Sequence, residues 1–247
     1  MCRLLAYAAS RAVSPRDLLG GSIEDFRRLS AVHRDGWGAA WLDESGSVQL
    51  DKAPEPGLES PAFAARLDAL RSRAAIVHLR WATGGLPVCL PNTHPFRFEG
   101  VAFAHNGGVD KEFVRRLVAP AYLRDLEGTT DSELYFRALL SAMTETGDAF
   151  EAFARVVRAI RREGEHTGLN FLLLTPRALY AACAFHPRSK ILETDPDYYV
   201  LRYRVEPDAV LVASSGWAEA DAWPALPNGR AIAVDLATLD VKEADIA

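Results

Sequence analysis

Apolar and polar positions follow two different periods along the chain, and these periods predict strands and helices in separate groups. Residues that alternate with a period of two, or that form short continuous apolar runs, are typical of strands. The segment 36–52 predicts a hairpin with its turn at Glu44-Ser45-Gly46. Further strands are predicted over residues 2–9, 74–83, 100–106, 169–175, 177–185, 209–215 and 230–236.

Helices are predicted where apolar residues recur every three or four positions, as they do over 130–143 and 148–163. Two further helices begin at Ser14-Pro15 and Ser60-Pro61, the second continuing over 62–73, because serine caps a helix and proline suits its first turn. Strands grouped in hairpins with helices between the groups favour an α+β fold with antiparallel sheets over a doubly wound parallel sheet.

Composition narrows the class of protein. The chain has 247 residues, 49% hydrophobic and 25% charged, and its uninterrupted pattern predicts a single domain over 1–247. A net charge of −5, with Lys and Arg scattered among acids, argues against a nucleic-acid partner. No apolar run reaches the roughly 18 residues that span a bilayer, and "LLAYAA" is too short for a secretory signal. We therefore expect a cytoplasmic protein with no membrane partner.

The three cysteines, Cys2, Cys89 and Cys183, are an odd number with wide spacing, which argues against a disulfide framework. Cys183 is typical of a small apolar core residue. Cys89 and His94 lie five residues apart in a Pro-rich loop, which is weak support for a metal site. The sequence therefore predicts no metal and no cofactor.

Cys2 differs from the other cysteines because it directly follows the initiator methionine. A small second residue favours removal of Met1, which would place a thiol of pKa about 8.5 and an α-amine of pKa about 7.7–8.0 on one residue. The amine could then accept the thiol proton, through a bridging water because direct transfer closes a strained ring. The alternative is that Cys2 merely begins an edge strand.

Asn106-Gly107, after the apolar run that ends at His105, also has two interpretations. Asn-Gly is the commonest tight-turn pair, since both residues tolerate positive φ. An asparagine side chain and a neighbouring backbone N–H can also hold a developing oxyanion. The pair by itself favours the turn.

Four motifs in fixed order change this balance. Met-Cys-Arg at the start, "HLRWAT" at 78–83, "HNG" at 105–107 and "TDSE" at 130–133 together resemble the class II glutamine amidotransferases, which are N-terminal-nucleophile hydrolases. The resemblance implies a four-layer αββα sandwich with two antiparallel sheets. It also implies that Asn106-Gly107 is both a turn and an oxyanion hole.

Three more segments resemble the small stand-alone branch of that family: "DGWG" at 35–38, "NTHPF" at 92–96 and "VLVASSGW" at 210–217. This branch includes γ-glutamyl amide hydrolases that act on glutathione-like or ergothioneine-pathway compounds. One departure is Gly84, which stands where many members have a histidine after Arg-Trp-Ala-Thr. That difference suggests a leaving group unlike that of the sugar-amidating enzymes.

The resemblance assigns catalytic roles to Cys2, Asn106 and Gly107. Cys2 attacks the carbonyl and forms a thioester, while the Asn106 side chain and the Gly107 N–H stabilise the oxyanion.

Arg80 is expected to bind the substrate α-carboxylate and Asp131 the α-ammonium group. Each has a structural alternative: Asp131 as a helix N-cap, and Arg80 in a surface ion pair. Trp37 lies between two glycines, and we predict that its side chain packs in the apolar core. The remaining residues implied for substrate binding are Trp81, Thr83 and Gly108.

Hydrolysis of a γ-glutamyl amide is the function these features favour, with a small molecule as substrate and the amine product as the useful half. One alternative is a glutaminase subunit that supplies ammonia to a separate synthase partner. Another is a catalytically inactive fold retained as a binding module, which the complete set of site residues disfavours.

Overall fold

The computed structural model describes residues 2–247, and Met1, whose removal the sequence predicts, lies outside them. Thirteen strands in this part of the chain form two antiparallel sheets of seven and six strands. The strands are β1 (Arg3–Val13), β2 (Trp37–Leu42), β3 (Val48–Ala53), β4 (Ser72–Leu79), β5 (Phe96–Phe98), β6 (Val101–Val109), β7 (His166–Leu174), β8 (Ala178–Cys183), β9 (Leu201–Val205), β10 (Ala209–Ser214), β11 (Ala225–Leu226), β12 (Arg230–Asp235) and β13 (Val241–Asp245).

The first sheet has the order β11-β9-β10-β1-β4-β2-β3, and the second has the order β13-β12-β8-β7-β6-β5. Within residues 2–247 no helix combines the length and apolar character needed to cross a bilayer. The helices are α1 (Pro15–Leu19), α2 (Ile23–Arg28), α3 (Pro61–Ala69), α4 (Lys111–Leu117), α5 (Asp131–Thr146), α6 (Ala149–Glu163) and α7 (Ala218–Asp221), with short 3-10 turns between some of them.

Three apolar cores separate four layers. The middle core joins the two sheets and is built mainly from aliphatic side chains such as Leu4, Ile76 and Leu172. A second core packs α1, α2 and α3 on the outer face of the seven-stranded sheet, around Phe26 and Phe63. The third packs α4, α5 and α6 on the other sheet. The predicted αββα sandwich is therefore confirmed.

Local signals at helix starts are confirmed, but one helix end is not. Ser14 forms a capping box with Asp17, and the Ser60 hydroxyl accepts from the Phe63 N–H. The helix predicted through residue 73 ends at Ala69, because β4 begins at Ser72. There the Ser72 hydroxyl donates to the Leu42 carbonyl over 2.7 Å, so sheet pairing overrides the helical pattern.

The turn predicted at Asn106-Gly107 is wrong, because β6 continues through both residues to Val109. Asn106 pairs with Asn170 and Gly107 with Leu169 on β7. Gly107 has φ +153°, and a Cβ there would lie 1.8 Å from the Gly168 carbonyl oxygen. The glycine is thus required by close backbone approach between the strands rather than by a chain reversal.

Candidate active site

The candidate site lies where corresponding ends of the two sheets meet. Alternate residues of a strand face the same way; Leu4 and Ala6 of β1 and Ala102 and Ala104 of β6 belong to the core between the sheets. The same alternation carries Cys2 and Asn106 to the end of that layer. Side chains from opposite sheets therefore meet there.

The first residues of β1 are held firmly. The Leu4 N–H donates to the Ser214 hydroxyl over 2.9 Å, and the Arg3 guanidinium donates to the Tyr198 carbonyl over 3.0 Å. Arg3 also pairs with Leu79 on β4, which sets Cys2 beside Arg80. Because β1 lies between β10 and β4, the interpretation of Cys2 as the start of an edge strand is wrong.

Cys2 and Asn106, 104 residues apart in the chain, are joined by a direct hydrogen bond. The Cys2 nitrogen donates to Asn106 Oδ1 over 3.0 Å. Since that nitrogen acts here as a donor, the amide oxygen must face it and Nδ2 must point elsewhere. Nδ2 is buried and has no hydrogen-bond partner among residues 2–247. A buried, unpaired donor beside a thiol is what an oxyanion requires.

Cys2 is a buried residue, only 7% exposed. Burial raises its pKa, and the positive charge of Arg80 opposes the rise only in part. The sulfur also lies 3.9 Å from the Trp81 carbonyl oxygen, a weak S–H contact. The resting group is therefore a neutral thiol, which needs a base at the moment of attack.

Arg80 is a buried cation, only 2% exposed. Its guanidinium donates to the carbonyls of Asp35, over 3.4 Å, and of Pro87, over 3.3 Å. It forms no ion pair with any carboxylate in the described chain, so the surface-pair alternative is wrong. A buried guanidinium without a counter-ion favours an anionic ligand in the cleft.

Asp35 fixes the segment that carries Arg80, a role the sequence did not reveal. Its N–H donates to the Arg80 carbonyl over 2.9 Å, and its Oδ2 accepts from the Ala82 N–H over 2.7 Å. Trp37, two residues later, is 1% exposed and stacks on Phe63 at 5.0 Å. The predicted core position of Trp37 is confirmed.

Asp131 is the first residue of α5, and the N-cap is Thr130, whose hydroxyl accepts from the Glu133 N–H over 3.2 Å. The capping interpretation of Asp131 is therefore wrong. Its Oδ2 instead accepts from the Val109 N–H over 2.8 Å. This bond holds the carboxylate at the end of β6, beside the cleft.

The structure brings all the predicted site residues together. Asn106 is joined to the cleft by its hydrogen bond with Cys2. Gly108 lines an adjoining open groove, together with Thr83, Gly84, Lys111 and Asp131. The cleft itself is narrow, with a cavity volume of about 20 Å³. Its lining includes Cys2, Arg80, Trp81, Thr83, Gly107 and Asp131.

Three buried histidines, His78, His94 and His105, surround this site, and sequence reasoning assigned a role only to His94, as a weakly supported metal ligand with Cys89. The Ser132 hydroxyl donates to His105 Nδ1 over 2.9 Å, and His105 Nε2 donates to the Gly168 carbonyl over 3.0 Å. His105 thereby ties β6 to α5 and β7. The available signal was their place within the motifs "HLRWAT", "NTHPF" and "HNG".

The four-layer fold is also found in solved structures of amidotransferase domains. Among solved structures, a glutamine aminotransferase class-II domain protein from Silicibacter pomeroyi superposes with a TM-score of 0.69 at 23% identity, over 100% of both chains. The glutamine phosphoribosylpyrophosphate amidotransferase of Bacillus subtilis superposes with a TM-score of 0.65 at 19% identity, over 100% of this chain and 49% of that one. At these identities the likeness shows the fold alone.

The class-II glutamine amidotransferases match residues 1–236, and the chain belongs to this family. The γ-glutamyl-hercynylcysteine sulfoxide hydrolase of Mycolicibacterium smegmatis is 26% identical over 242 residues, covering 95% of this chain and 96% of the relative. The probable glutamine amidotransferase DUG3 of Saccharomyces cerevisiae is 25% identical over 298 residues, covering 97% of this chain and 83% of the relative.

Proposed function

We propose that the chain, as a single domain over 1–247 in the cytoplasm, hydrolyses the γ-glutamyl amide bond of a small molecule through a thioester at Cys2. The observation that carries the proposal is the 3.0 Å hydrogen bond from the Cys2 nitrogen to Asn106 Oδ1, which leaves Asn106 Nδ2 unpaired. After removal of Met1 that nitrogen is an α-amine beside its own thiol. Nucleophile, base and oxyanion donor then stand together.

In the first half of the reaction, the Cys2 amine takes the thiol proton through a bridging water as Sγ attacks the γ-carbonyl carbon. The carbonyl oxygen becomes an oxyanion and accepts hydrogen bonds from Asn106 Nδ2 and the Gly107 N–H. Collapse of this intermediate breaks the C–N bond, and the protonated amine delivers its proton to the leaving nitrogen. The product on the enzyme is a γ-glutamyl thioester.

In the second half, water attacks the thioester carbonyl while the Cys2 amine accepts its proton. The same donors stabilise the second oxyanion, and collapse breaks the C–S bond and returns the proton to sulfur. Glutamate leaves, and the free thiol and amine are restored.

Arg80 and Asp131 fix the amino-acid end of the substrate in this proposal. The Arg80 guanidinium forms no ion pair with a carboxylate of residues 2–247 and can bind the α-carboxylate with two hydrogen bonds. The Asp131 carboxylate accepts the α-ammonium group. With both ends held, the γ-carbonyl is presented to Cys2, an orientation effect that lowers the entropic part of the barrier.

The adjoining open groove supports a leaving group larger than ammonia. It is continuous with the cleft through Thr83, Leu86 and Asp131. A Cβ added at Gly84 would meet no atom within 4 Å. The groove therefore has room for the amine half of a γ-glutamyl conjugate, which agrees with the activity named for the Mycolicibacterium smegmatis relative.

The decisive experiment measures glutamate release from glutamine and from a panel of γ-glutamyl conjugates, with the purified chain alone and with its intact mass determined. We expect turnover of at least one conjugate by chains that lack Met1. Cys2→Ala should abolish it, whereas Cys89→Ala should not. Turnover retained by Cys2→Ala, or active protein that still carries Met1, contradicts the mechanism.

The same assay separates the alternatives. A subunit that supplies ammonia to a synthase partner would be nearly silent on glutamine until the partner is added. A binding module would bind a γ-glutamyl compound and release no glutamate under either condition.

A further inference from the structure

Two buried histidines that the proposed hydrolysis does not use, His78 and His94, lie beside the nucleophile and form a cluster of metal-ligating side chains with it. Cys2 Sγ and one ring nitrogen from each of His78 and His94 all lie within 4.8 Å of one another. The three residues are 7%, 0% and 4% exposed. Cys89, which sequence reasoning had paired with His94, is not part of the cluster.

The histidine nitrogens in this cluster lack partners. His78 Nδ1 and both ring nitrogens of His94 are buried and have no hydrogen-bond partner within residues 2–247. Buried polar atoms are normally paired, and each exception calls for an explanation. The two rings stack with their centroids 4.3 Å apart. Stacking alone gives none of the three nitrogens a hydrogen-bond partner.

The hydrogen bonding of His78 sets the tautomer that a metal ligand needs. Its Nε2 donates to the His105 carbonyl over 3.3 Å, because a carbonyl oxygen can only accept. Nδ1 therefore carries the free lone pair. A ring N–H bound to a backbone carbonyl is the usual outer contact of a metal-binding histidine.

His94 is held in place at the same sheet end. Its carbonyl packs over Gly38, where a Cβ would lie only 2.2 Å away. The Lys52 ammonium donates to the carbonyls on either side, those of Thr93 over 2.7 Å and Pro95 over 3.3 Å. The ring is therefore positioned before any ion arrives, which lowers the entropic cost of ligation.

We propose that Cys2, His78 and His94 form a site for a thiophilic divalent ion of the Zn²⁺ type, whose binding reversibly blocks the nucleophile. Sulfur and imidazole donors suit zinc, and three protein ligands leave a fourth position for water. Bonds of about 2.0–2.3 Å require side-chain shifts on the order of 1 Å from the present arrangement.

Binding of the ion changes the charge on Cys2. Zn²⁺ displaces the thiol proton to solvent, a Zn–S bond forms, and the sulfur lone pair is no longer available for attack. The positive charges of Arg80 and Lys52 act on His94, and the carboxylate of Asp131 acts on Cys2. The thiolate formed on binding offsets part of the repulsion from the two cations.

The test titrates purified, Met1-free protein with Co²⁺ and then Zn²⁺ in the absence of substrate. Co²⁺ should give thiolate-to-metal charge-transfer absorption and the visible bands of a four-coordinate ion, and Zn²⁺ should remove both. Since binding is read without turnover, its failure is distinguishable from failure of the proposed hydrolysis. Wild-type protein without a thiolate band, at Co²⁺ concentrations up to the millimolar range, overturns the proposal.

Variants separate this site from binding by the thiol and amine of Cys2 alone. We expect His94→Gln, and independently His78→Gln, to weaken Co²⁺ and Zn²⁺ binding by at least about 100-fold, since even outer-contact partners are worth about 10–100-fold. The matched control is His186→Gln, which alters a histidine pair elsewhere, with His166. Unchanged affinity in both cluster variants contradicts the site.

Inhibition provides a second readout for any variant that turns over substrate. Zn²⁺ should inhibit the wild type competitively with the γ-glutamyl substrate, and a chelator should restore the rate in full. The inhibition constant, rather than the basal rate, should rise at least about 100-fold in the cluster variants. Irreversible loss of activity, or equal inhibition of wild type and cluster variants, contradicts the proposal.

Discussion

The middle and the end of the layer between the two sheets differ sharply, although the same strands build both. In the middle, Leu4, Ile76, Ala104, Leu172 and Val212 form an apolar core. At the end, the alternating positions of these strands carry polar groups, namely Cys2, His78, Asn106, Asn170 and Ser214. The apolar middle of the layer stabilises the fold, whereas its end buries polar groups that can take part in chemistry.

The polar end is itself divided into satisfied and unsatisfied groups. Asn170 donates to the Tyr199 carbonyl and accepts from the Ala184 N–H, so both ends of its amide are paired. Its register partner Asn106 leaves Nδ2 unpaired. Groups that hold strands together are satisfied, whereas groups beside the thiol keep bonding capacity for a ligand.

The largest effect is expected for a substitution in the apolar core between the sheets. Leu172→Ala, at a fully buried position between the sheets, should lower the free energy of unfolding by about 2.7–5 kcal/mol, since it removes a packed side chain and leaves a cavity. Urea denaturation measures this loss, and kcat per folded molecule should stay near the wild-type value. A large fall in kcat in the folded variant would show that the two regions are not separable.

Asn106→Ala tests the unsatisfied polar group. We expect kcat for glutamate release to fall by about 10²–10³-fold with little change in KM, because the lost donor acts on the oxyanion rather than on bound substrate. Stability should also fall by about 1–3 kcal/mol, since the substitution removes the Oδ1 acceptor of the buried Cys2 nitrogen.

Asn170→Ala is the matched control for that variant. It leaves the Ala184 N–H without its Asn170 acceptor and removes one of two donors to the Tyr199 carbonyl, so it should cost about 1–3 kcal/mol of stability. A rise in KM without a fall in kcat for Asn106→Ala would mean that the asparagine binds substrate instead of stabilising the oxyanion.

Arg80→Lys tests whether the shape of the cation matters in addition to its charge. The substitution keeps the positive charge but loses the planar fork that binds a carboxylate at two points. KM for the γ-glutamyl substrate should rise about 10-fold, with kcat changed less, as measured by steady-state glutamate release. An equal effect with a substrate lacking the α-carboxylate would contradict this role.

The buried histidines should make the stability of the fold depend on pH. Burial holds the pKa values of His78 and His94 well below the usual 6.5, and lowers that of His105. Below pH about 6.5 the unfolded chain therefore binds protons that the folded chain does not, so stability falls as the pH falls toward the folded-state pKa values.

Each of these histidines should contribute up to about 1.4 kcal/mol per pH unit to that slope. Urea unfolding between pH 5 and 6.5, with a chelator present, measures it. His94→Gln should reduce the slope by one histidine. A slope that is unaltered in His94→Gln would show that His94 titrates normally in the folded state.

The helix caps and the hairpin could be predicted from the sequence alone, because they depend on local interactions. The caps at Ser14 and Ser60 and the hairpin over 36–52 follow from neighbours a few residues away. The ordered motifs predicted the family and its fold, and they proposed Cys2, Arg80, Asn106 and Asp131 as site residues. Alternation also explains which strand residues face the middle core.

The contacts that form the site could not be predicted from the sequence and were seen only in the three-dimensional structure. It showed that β6 runs through Asn106-Gly107, that Thr130 caps α5, and that His78 and His94 stack behind Cys2. These features depend on pairing between segments far apart in the chain, such as the bond across 104 residues from Cys2 to Asn106. Local propensity carries no information about such pairing, because the free energy that decides it comes from the packed sheets.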